Sequence, residues 1–190
     1  KNVESQLETY SQLIFEPADI VELRLIKADA KPIQRWVQAK ELPGQVENLT
    51  QLNQQGYNIY AGPNPRIELG KSGDANVQLA RYLFCDFDGI EPGDGCGRWE
   101  FVVCRIIDAG LPEPDMVISS GHGIHTYWKL EELLYDMDKW RQVQQRMNSA
   151  LDADSTIKNP ERIMRLPGFL NVKKKPFQET FLIDFKEANK

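Results

Sequence analysis

Two aspartates, two residues apart at the end of an apolar run, are the first residues of this 190-residue chain that could do chemistry. In "RYLFCDFDGI", residues 81–90, the run Tyr82, Leu83, Phe84 and Cys85 reads as a buried, central strand. Side chains alternate along a strand, so Asp86 and Asp88 share one face and Phe87 takes the other. Two carboxylates roughly 4 Å apart, at an effective dielectric near 20, repel by about 4 kcal/mol. Solvation, an arginine or a divalent cation must offset that cost. Gly89 then lets the chain turn. A D-x-D pair alone also reads as a solvated strand end, so a metal site needs ligands from elsewhere.

Two other stretches offer partners. "SSGHGIHTYW" carries Ser120, Gly121 and Gly123 in a turn whose backbone N–H groups could converge on an anion. His125 follows just inside the next strand, on the face of Tyr127 and Lys129; it reads as a phosphate contact or as a hydrogen-bonded structural histidine. "LDADSTIKNPERIMRLPGFLNVKKK" supplies Asp154, or alternatively Asp152, then Arg162, Arg165, Asn171 and a lysine run. Helical geometry would bring Arg162 and Arg165 near one face, and arginine suits bidentate phosphate recognition.

Charge joins these pieces. The chain carries a net −5, which argues against a surface coated for nucleic acid. Residues 155–175 are nevertheless net +5, leaving −10 for the rest, as expected of a focused anion site or a solvated basic loop. Two divalent cations bring about +4, three aspartates about −3 and a nucleoside triphosphate about −4, leaving roughly −3 for arginine and lysine to balance. That is the charge pattern of two-metal phosphoryl transfer.

The elements that must position these groups follow from periodicity. Val46, Leu49 and Leu52 keep helical spacing, with Gly56 placed to end the helix. "YNIYAGPNPRIELG" reads as a short strand and a turn presenting Arg66. "GRWEFVVCRIIDAG" puts Trp99, Val102, Val103, Ile106 and Ile107 on one helical face. "DMVISSGHGIHTYWKL" is a hairpin. Asp136 can cap a helix whose Trp140, Val143, Met147 and Leu151 face the core. Asn159-Pro160 can open a short helical turn, and "ETFLIDF" is a late strand. Without regular β-α-β alternation, an α+β fold with a partly antiparallel sheet is expected over a doubly wound one.

D-x-D, then S-G-x-G-x-H, then a lone Asp followed by R-x-x-R-L-P-G-x-x-N resembles the archaeo-eukaryotic primase superfamily. The likeness runs from "YNIYAGPNPR" to "LPGFLNVK" and looks closest to primase-polymerases of plasmids, phages and CRISPR-associated systems. It implies a modified RRM-like mixed sheet beside a smaller N-terminal α/β module. It implies a DNA primase or DNA polymerase using two Mg2+ or Mn2+ ions, with metal ligands at Asp86, Asp88 and Asp154; Asp154 rather than Asp152 fits the family spacing to Arg162. Triphosphate contacts are implied for Ser120, the Gly121–Gly123 turn and His125, with Arg162, Arg165, Asn171 and Lys173 as helpers. Arg66 is implied as a further nucleotide or template contact. The implied partners are a single-stranded DNA template, a primer, NTPs or dNTPs, and helicase or accessory domains of a longer protein. Lys174 and Lys175, beyond the L-P-G turn, are expected to track the nucleic-acid backbone. No zinc-binding insert is visible.

Residues 1–190 read as one catalytic domain, and a start at Lys1 as a fragment of something longer. Cys85, Cys96 and Cys104 form no C-x-x-C pair and read as buried thiols in a reducing compartment, hence a cytoplasmic protein. No apolar stretch reaches membrane-spanning length. Two rival readings stand. "LFCDFDGI" resembles the first motif of haloacid-dehalogenase-type phosphatases, although Ile90 departs from their usual Thr or Val and a doubly wound sheet would be required. A non-catalytic replication-initiator module with an RRM-like sheet is the other.

Overall fold

The computed structural model describes residues 2–90 and 97–186. Cys96 lies outside the described residues.

The N-terminal part begins with α1 (Val3–Ile14), whose first turn is capped by Asn2 Oδ1 accepting from Ser5 N at 2.7 Å. Strands β1 (Ile20–Ile26) and β2 (Ile33–Gln38) form an antiparallel pair. Helix α2 (Val46–Gln54) follows, and Gly56 ends it at φ 94°, a value open to glycine without strain. Strand β3 (Asn58–Ala61) then joins the free side of β1.

The second part runs β4 (Ala80–Phe87), α3 (Arg98–Asp108), β5 (Met116–Ser119), β6 (Ile124–Leu134), α4 (Met137–Leu151) and, after an excursion, β10 (Phe181–Phe185). This is a β-α-β-β-α-β unit with strand order β10-β5-β6-β4. Each crossover helix skips one strand, so the two halves interlock around the β5–β6 hairpin. The excursion carries β7 (Met164–Arg165), β8 (Leu170–Asn171) and β9 (Gln178–Glu179). Strand β7 adds to β3, so the N-terminal sheet reads β2-β1-β3-β7 and is closed by the C-terminal half of the chain. Every strand pairing among the described residues is antiparallel, where the resemblance led one to expect a mixed sheet. Among the described residues the doubly wound parallel sheet of the phosphatase reading is not formed.

Strand β4 is an edge strand, and its outward backbone groups must find partners off the sheet. Helix α4 supplies them. Trp140 Nε1 donates to Tyr82 O at 3.0 Å. Gln144 accepts from Phe84 N at 3.1 Å and donates to Phe84 O at 2.7 Å, acting as a one-residue strand. Asn148, one turn on, accepts from Gln144 Nε2 at 2.8 Å and donates to Ile157 O at 2.7 Å. Just past the helix, Asp154 N donates to Asp86 O at 2.9 Å. One rail of polar groups therefore runs along β4 to its acidic end.

Two helical expectations change. In α3 only Val102 and Ile106 are buried; Trp99 and Val103 are half-buried and Ile107 is 68% exposed, because one i, i+4 pair suffices for the contact. No helix forms at Asn159-Pro160. That loop's backbone is engaged by tertiary partners: Pro160 O accepts from Asn64 Nδ2 at 3.0 Å, and Glu161 N donates to Asp74 Oδ1 at 3.0 Å. Arg162 and Arg165 consequently share no helical face. Of the cysteines, Cys85 is buried but Cys104 is exposed on α3, contrary to expectation. Among the described residues no helix is long and apolar enough to cross a membrane.

Replacing Gln144 with leucine keeps the side-chain size and strips both Phe84 backbone groups of their partner. Each orphaned buried group costs about 1–3 kcal/mol, so Gln144→Leu should lower unfolding stability by about 2–4 kcal/mol, read from urea denaturation. A loss under about 0.5 kcal/mol would mean the rail does not hold β4.

Candidate active site

The sheet pairing places Asp86 directly opposite His125, on neighbouring strands and one face. His125 Nε2 lies 3.5 Å from Asp86 Oδ1. Asp88 sits one residue beyond β4, exposed. The turn into β6 presses against it: a Cβ on Gly123 would meet Phe87 O and come within 2.7 Å of Asp88 Oδ1. Glycine at 123 is thus what lets the hairpin close over the acidic strand end. A Cβ at Gly121 would come within 2.9 Å of Asn171 Cβ, so that glycine admits the β8 segment.

Asp86, Asp88 and Asp154 line one cleft of about 720 Å³ between the two sheets. Ser120, His125, Arg162, Arg165, Asn171 and Lys173 line it too, as do Lys174 and His122. Burial opposes ionisation of Asp86, but His125, then Arg165 and Arg162, outweigh it and hold its carboxyl below the ordinary range. Asp88 goes the other way: although the residue is exposed overall, partial desolvation of its carboxyl, and then the negative charge of Asp86, push its pKa up. The repulsion anticipated from the D-x-D spacing is therefore present at Asp88.

Several side chains expected to touch ligand are spent on structure. Arg165 donates to Asn58 Oδ1 at 2.6 Å and to Tyr60 Oη at 2.9 Å, and its guanidinium lies 4.7 Å from the Tyr60 ring centre. Asn171 donates to Ser120 O at 2.7 Å and accepts from Lys173 N at 3.1 Å, clamping the hairpin turn to β8. Within that turn Ser120 N donates to Gly123 O at 3.0 Å, and Gly121 N to Ser119 Oγ at 3.4 Å. Those two N–H groups turn inward instead of converging on an anion.

Arg66 is not in the cleft at all, which corrects its expected role as a nucleotide or template contact. Its side chain is fully buried. Nε meets Glu22 Oε2 at 2.8 Å, Nη1 donates to Asn64 O at 2.7 Å and Nη2 to Glu161 O at 2.8 Å. Gly62 leaves the space it occupies, since a Cβ there would stand 2.6 Å from Nη2. Glu22 also accepts from Arg24 at 2.5 Å and Gln34 at 3.1 Å. Burial raises the Glu22 pKa, but the hydrogen bonds and charges of Arg24 and Arg66 leave it below the ordinary carboxylate range. Arg66 thus ties β1 to the loop that carries Asp154 and Arg162.

The acidic end fits a hard divalent cation in its donor chemistry. Asp86 Oδ1 is buried with no hydrogen-bond partner, and Asp88 is destabilised by its neighbour's charge, so carboxylate oxygens stand ready for a cation. Asp154 is engaged elsewhere: its carboxylate accepts from Thr156 N and Thr156 Oγ1, both at 2.8 Å, and Arg162 lies 3.9 Å away. Accordingly, no three His, Cys, Asp or Glu side chains among the described residues already enclose a metal position.

Comparison with known proteins bears on the whole arrangement. Residues 100–187 match the RepB DNA-primase N-terminal domain family, a stretch that holds Ser120, His125, Asp154 and Arg165 but not Asp86 or Asp88. The AEP (archaeo-eukaryotic primase) domain of the cyanophage S-2L primase-polymerase superposes with a TM-score of 0.73 at 21% identity, over 97% of this chain and 91% of that one. This is the archaeo-eukaryotic primase fold. The primase RepB' has the same fold at TM-score 0.73 and 17% identity; the match covers 98% of this chain and 58% of that one. The RepB' catalytic domain, solved in complex with initiator DNA, matches with TM-score 0.73 and 17% identity, over 99% of this chain and 87% of that one. No curated protein sequence matches. The fold is thus shared with primase domains over nearly the whole chain, and the family match covers residues 100–187.

Within this primase fold, sequence reasoning missed the supports of the site. Gln144 and Asn148 lie on the helical face of Trp140, Met147 and Leu151, and a polar pair on an apolar stripe is the signal that could have exposed them. Arg24 and Tyr60, also on the cleft wall, carry no such signal. Removing one partner of a buried ion pair costs about 3–5 kcal/mol, so Arg66→Met should lower unfolding stability by about that much in a urea titration. A near-neutral result would show that Glu22 is satisfied by Arg24 and Gln34 alone.

Proposed function

We propose that the chain is a template-dependent nucleotidyltransferase of the primase type, which builds or extends a strand from nucleoside triphosphates. One observation carries this reading: three aspartates and the cationic side chains of Arg162, Arg165, Lys173 and Lys174 line the same cleft. Carboxylates alone would suit a cation site and cations alone an anion site; their meeting suits a metal-bound triphosphate. The primase fold and the RepB-domain match support the same class.

Asp86 and Asp88 would hold the divalent ions, Mg2+ or Mn2+, with Asp154 joining once released from Thr156. When bound, such ions neutralise phosphate charge and favour ionisation of the attacking hydroxyl. The chain's own groups do the rest. Arg162 and Lys173 balance the triphosphate as it enters. His125 holds Asp86 ionised and oriented across the strand pair, so its role here is to position the carboxylate beside the phosphates. Tyr60 and Asn58 fix the Arg165 guanidinium, which lowers the entropy lost when it meets an anion. The acceptor 3′-hydroxyl would give its proton to solvent water as its oxygen attacks the α-phosphorus; the bond to the β-phosphate oxygen breaks, and pyrophosphate leaves. Lys174 and Lys175 would follow the template backbone.

The test is incorporation on single-stranded DNA, unprimed and primed, with separate NTP and dNTP pools and Mg2+ or Mn2+. Wild-type protein should incorporate nucleotide; Asp86→Asn and Asp88→Asn should abolish this, by more than about a thousandfold, with unfolding curves retained. Replacing Lys174 and Lys175 with alanine should flatten the salt dependence of template binding by up to about 0.7 per lost phosphate contact. DNA binding without incorporation under every condition would instead mark a non-catalytic replication-initiator module.

A further inference from the structure

The carboxylate of Asp154 is held by a short relay of hydrogen bonds. Thr156 Oγ1 donates to Asp154 Oδ2 at 2.8 Å and accepts from Arg162 Nη2 at 2.9 Å. Thr156 N donates to Asp154 Oδ1 at 2.8 Å, and Arg162 Nη2 stands 3.9 Å from Oδ2. A hydroxyl has one proton to give. Accepting from a guanidinium leaves that proton aimed at Asp154 and strengthens the bond it makes. Both Asp154 oxygens are therefore occupied, while Asp86 Oδ1 is buried without a hydrogen-bond partner.

The backbone around the relay is fixed at both ends. Asp154 N donates to Asp86 O at 2.9 Å. Ile157 is buried, and its carbonyl accepts from Asn148 Nδ2 at 2.7 Å. Between these anchors Ser155 and Thr156 are exposed. Asp154 can thus exchange partners by turning its side chain, with no movement of the chain. Arg162, at the other end of the relay, lines the cleft with Arg165, Lys173 and Lys174. A phosphate group offers its guanidinium a bidentate, charge-paired contact that a single hydroxyl cannot match.

We propose that Thr156 and Arg162 form a latch that keeps Asp154 from the divalent cation until a triphosphate draws Arg162 away. This rests on the nucleotidyltransferase reading and gives its site an order of assembly. Once Arg162 turns to phosphate, the Thr156 hydroxyl loses its donor and Asp154 loses the nearby positive charge. Leaving the turn then costs less, and the carboxylate can join Asp86 and Asp88. Thr156 is a positioning residue, acting only through Asp154. Such coupling is reciprocal, so the cation and the triphosphate each raise the other's affinity.

The test is Mn2+ titration of the whole chain, with and without a non-hydrolysable nucleoside triphosphate. Water-proton relaxation reads it, because protein-bound Mn2+ is thereby separated from the free nucleotide complex. Without triphosphate, Thr156→Val should bind Mn2+ about tenfold more tightly than wild type, reflecting one lost hydrogen bond to a charged group. Thr156→Ala should repeat this, and Thr156→Ser, which keeps the hydroxyl, should match wild type; thermal melting checks each variant. With triphosphate, Thr156→Val and wild type should agree within about twofold. Equal affinities without triphosphate would overturn the latch, as would a gap that persists undiminished with it. So would tightening by Thr156→Val that survives in an Asp154→Asn background. If wild-type protein incorporates no nucleotide yet shows the expected pattern, the activity reading fails and the latch stands. Incorporation with equal Mn2+ affinity in wild type and Thr156→Val refutes the latch alone.

Discussion

The open edge of β4 is the constraint on which the rest depends. A strand that ends in two carboxylates cannot bury both between two neighbours without the cost of their desolvation. An edge position solves this, but it leaves a row of backbone groups to satisfy. Trp140, Gln144 and the Asp154 amide meet that demand one after another along Tyr82, Phe84 and Asp86. The last of these bonds does two jobs: it satisfies Asp86 O and brings Asp154 to the end of the strand. Fold satisfaction and site assembly are the same interaction there.

The far wall of the cleft is held by a different device. Glu22 and Arg66 are both fully buried, and Arg66 passes its remaining donors to Asn64 O and Glu161 O. A buried pair of this kind contributes little net stability against a hydrophobic alternative, yet it is costly to break singly. Its consequence is geometric: β1 and the Asp154–Arg165 loop cannot shift independently. Strand β7 reinforces this by pairing Arg165 with Tyr60 in the N-terminal sheet. The two sheets thus face each other across a cleft whose walls are fixed to both halves of the chain.

The strand of Asp86, the β5–β6 hairpin, α2 and α4 were legible because apolar periodicity and cap residues are local signals. The first 45 residues, lacking a motif, were not assigned elements by the same reasoning. The likeness in motif order brought the three aspartates, His125 and the Arg162–Lys173 segment into view, and the structure places them on one cleft. What could not be read was where polar groups direct their hydrogen bonds. Arg66 follows a Gly/Pro/Asn turn, as a surface contact would, yet it is buried against a glutamate 44 residues earlier. Asn171 has the right place in its motif but holds the Ser120 carbonyl. The helical turn expected at Asn159-Pro160 lost to tertiary bonds from Asn64 and Asp74. In each case the deciding partner is far away in sequence.

The central claim is that carboxylates and cationic side chains share the cleft in order to hold a triphosphate through a divalent ion. Calorimetric titration of a non-hydrolysable nucleoside triphosphate, with and without Mn2+, tests it most directly. Binding should require Mn2+ in the wild-type protein and be lost in Asp88→Asn even when the ion is present. Equal binding without the ion, or full binding to Asp88→Asn, would contradict the account.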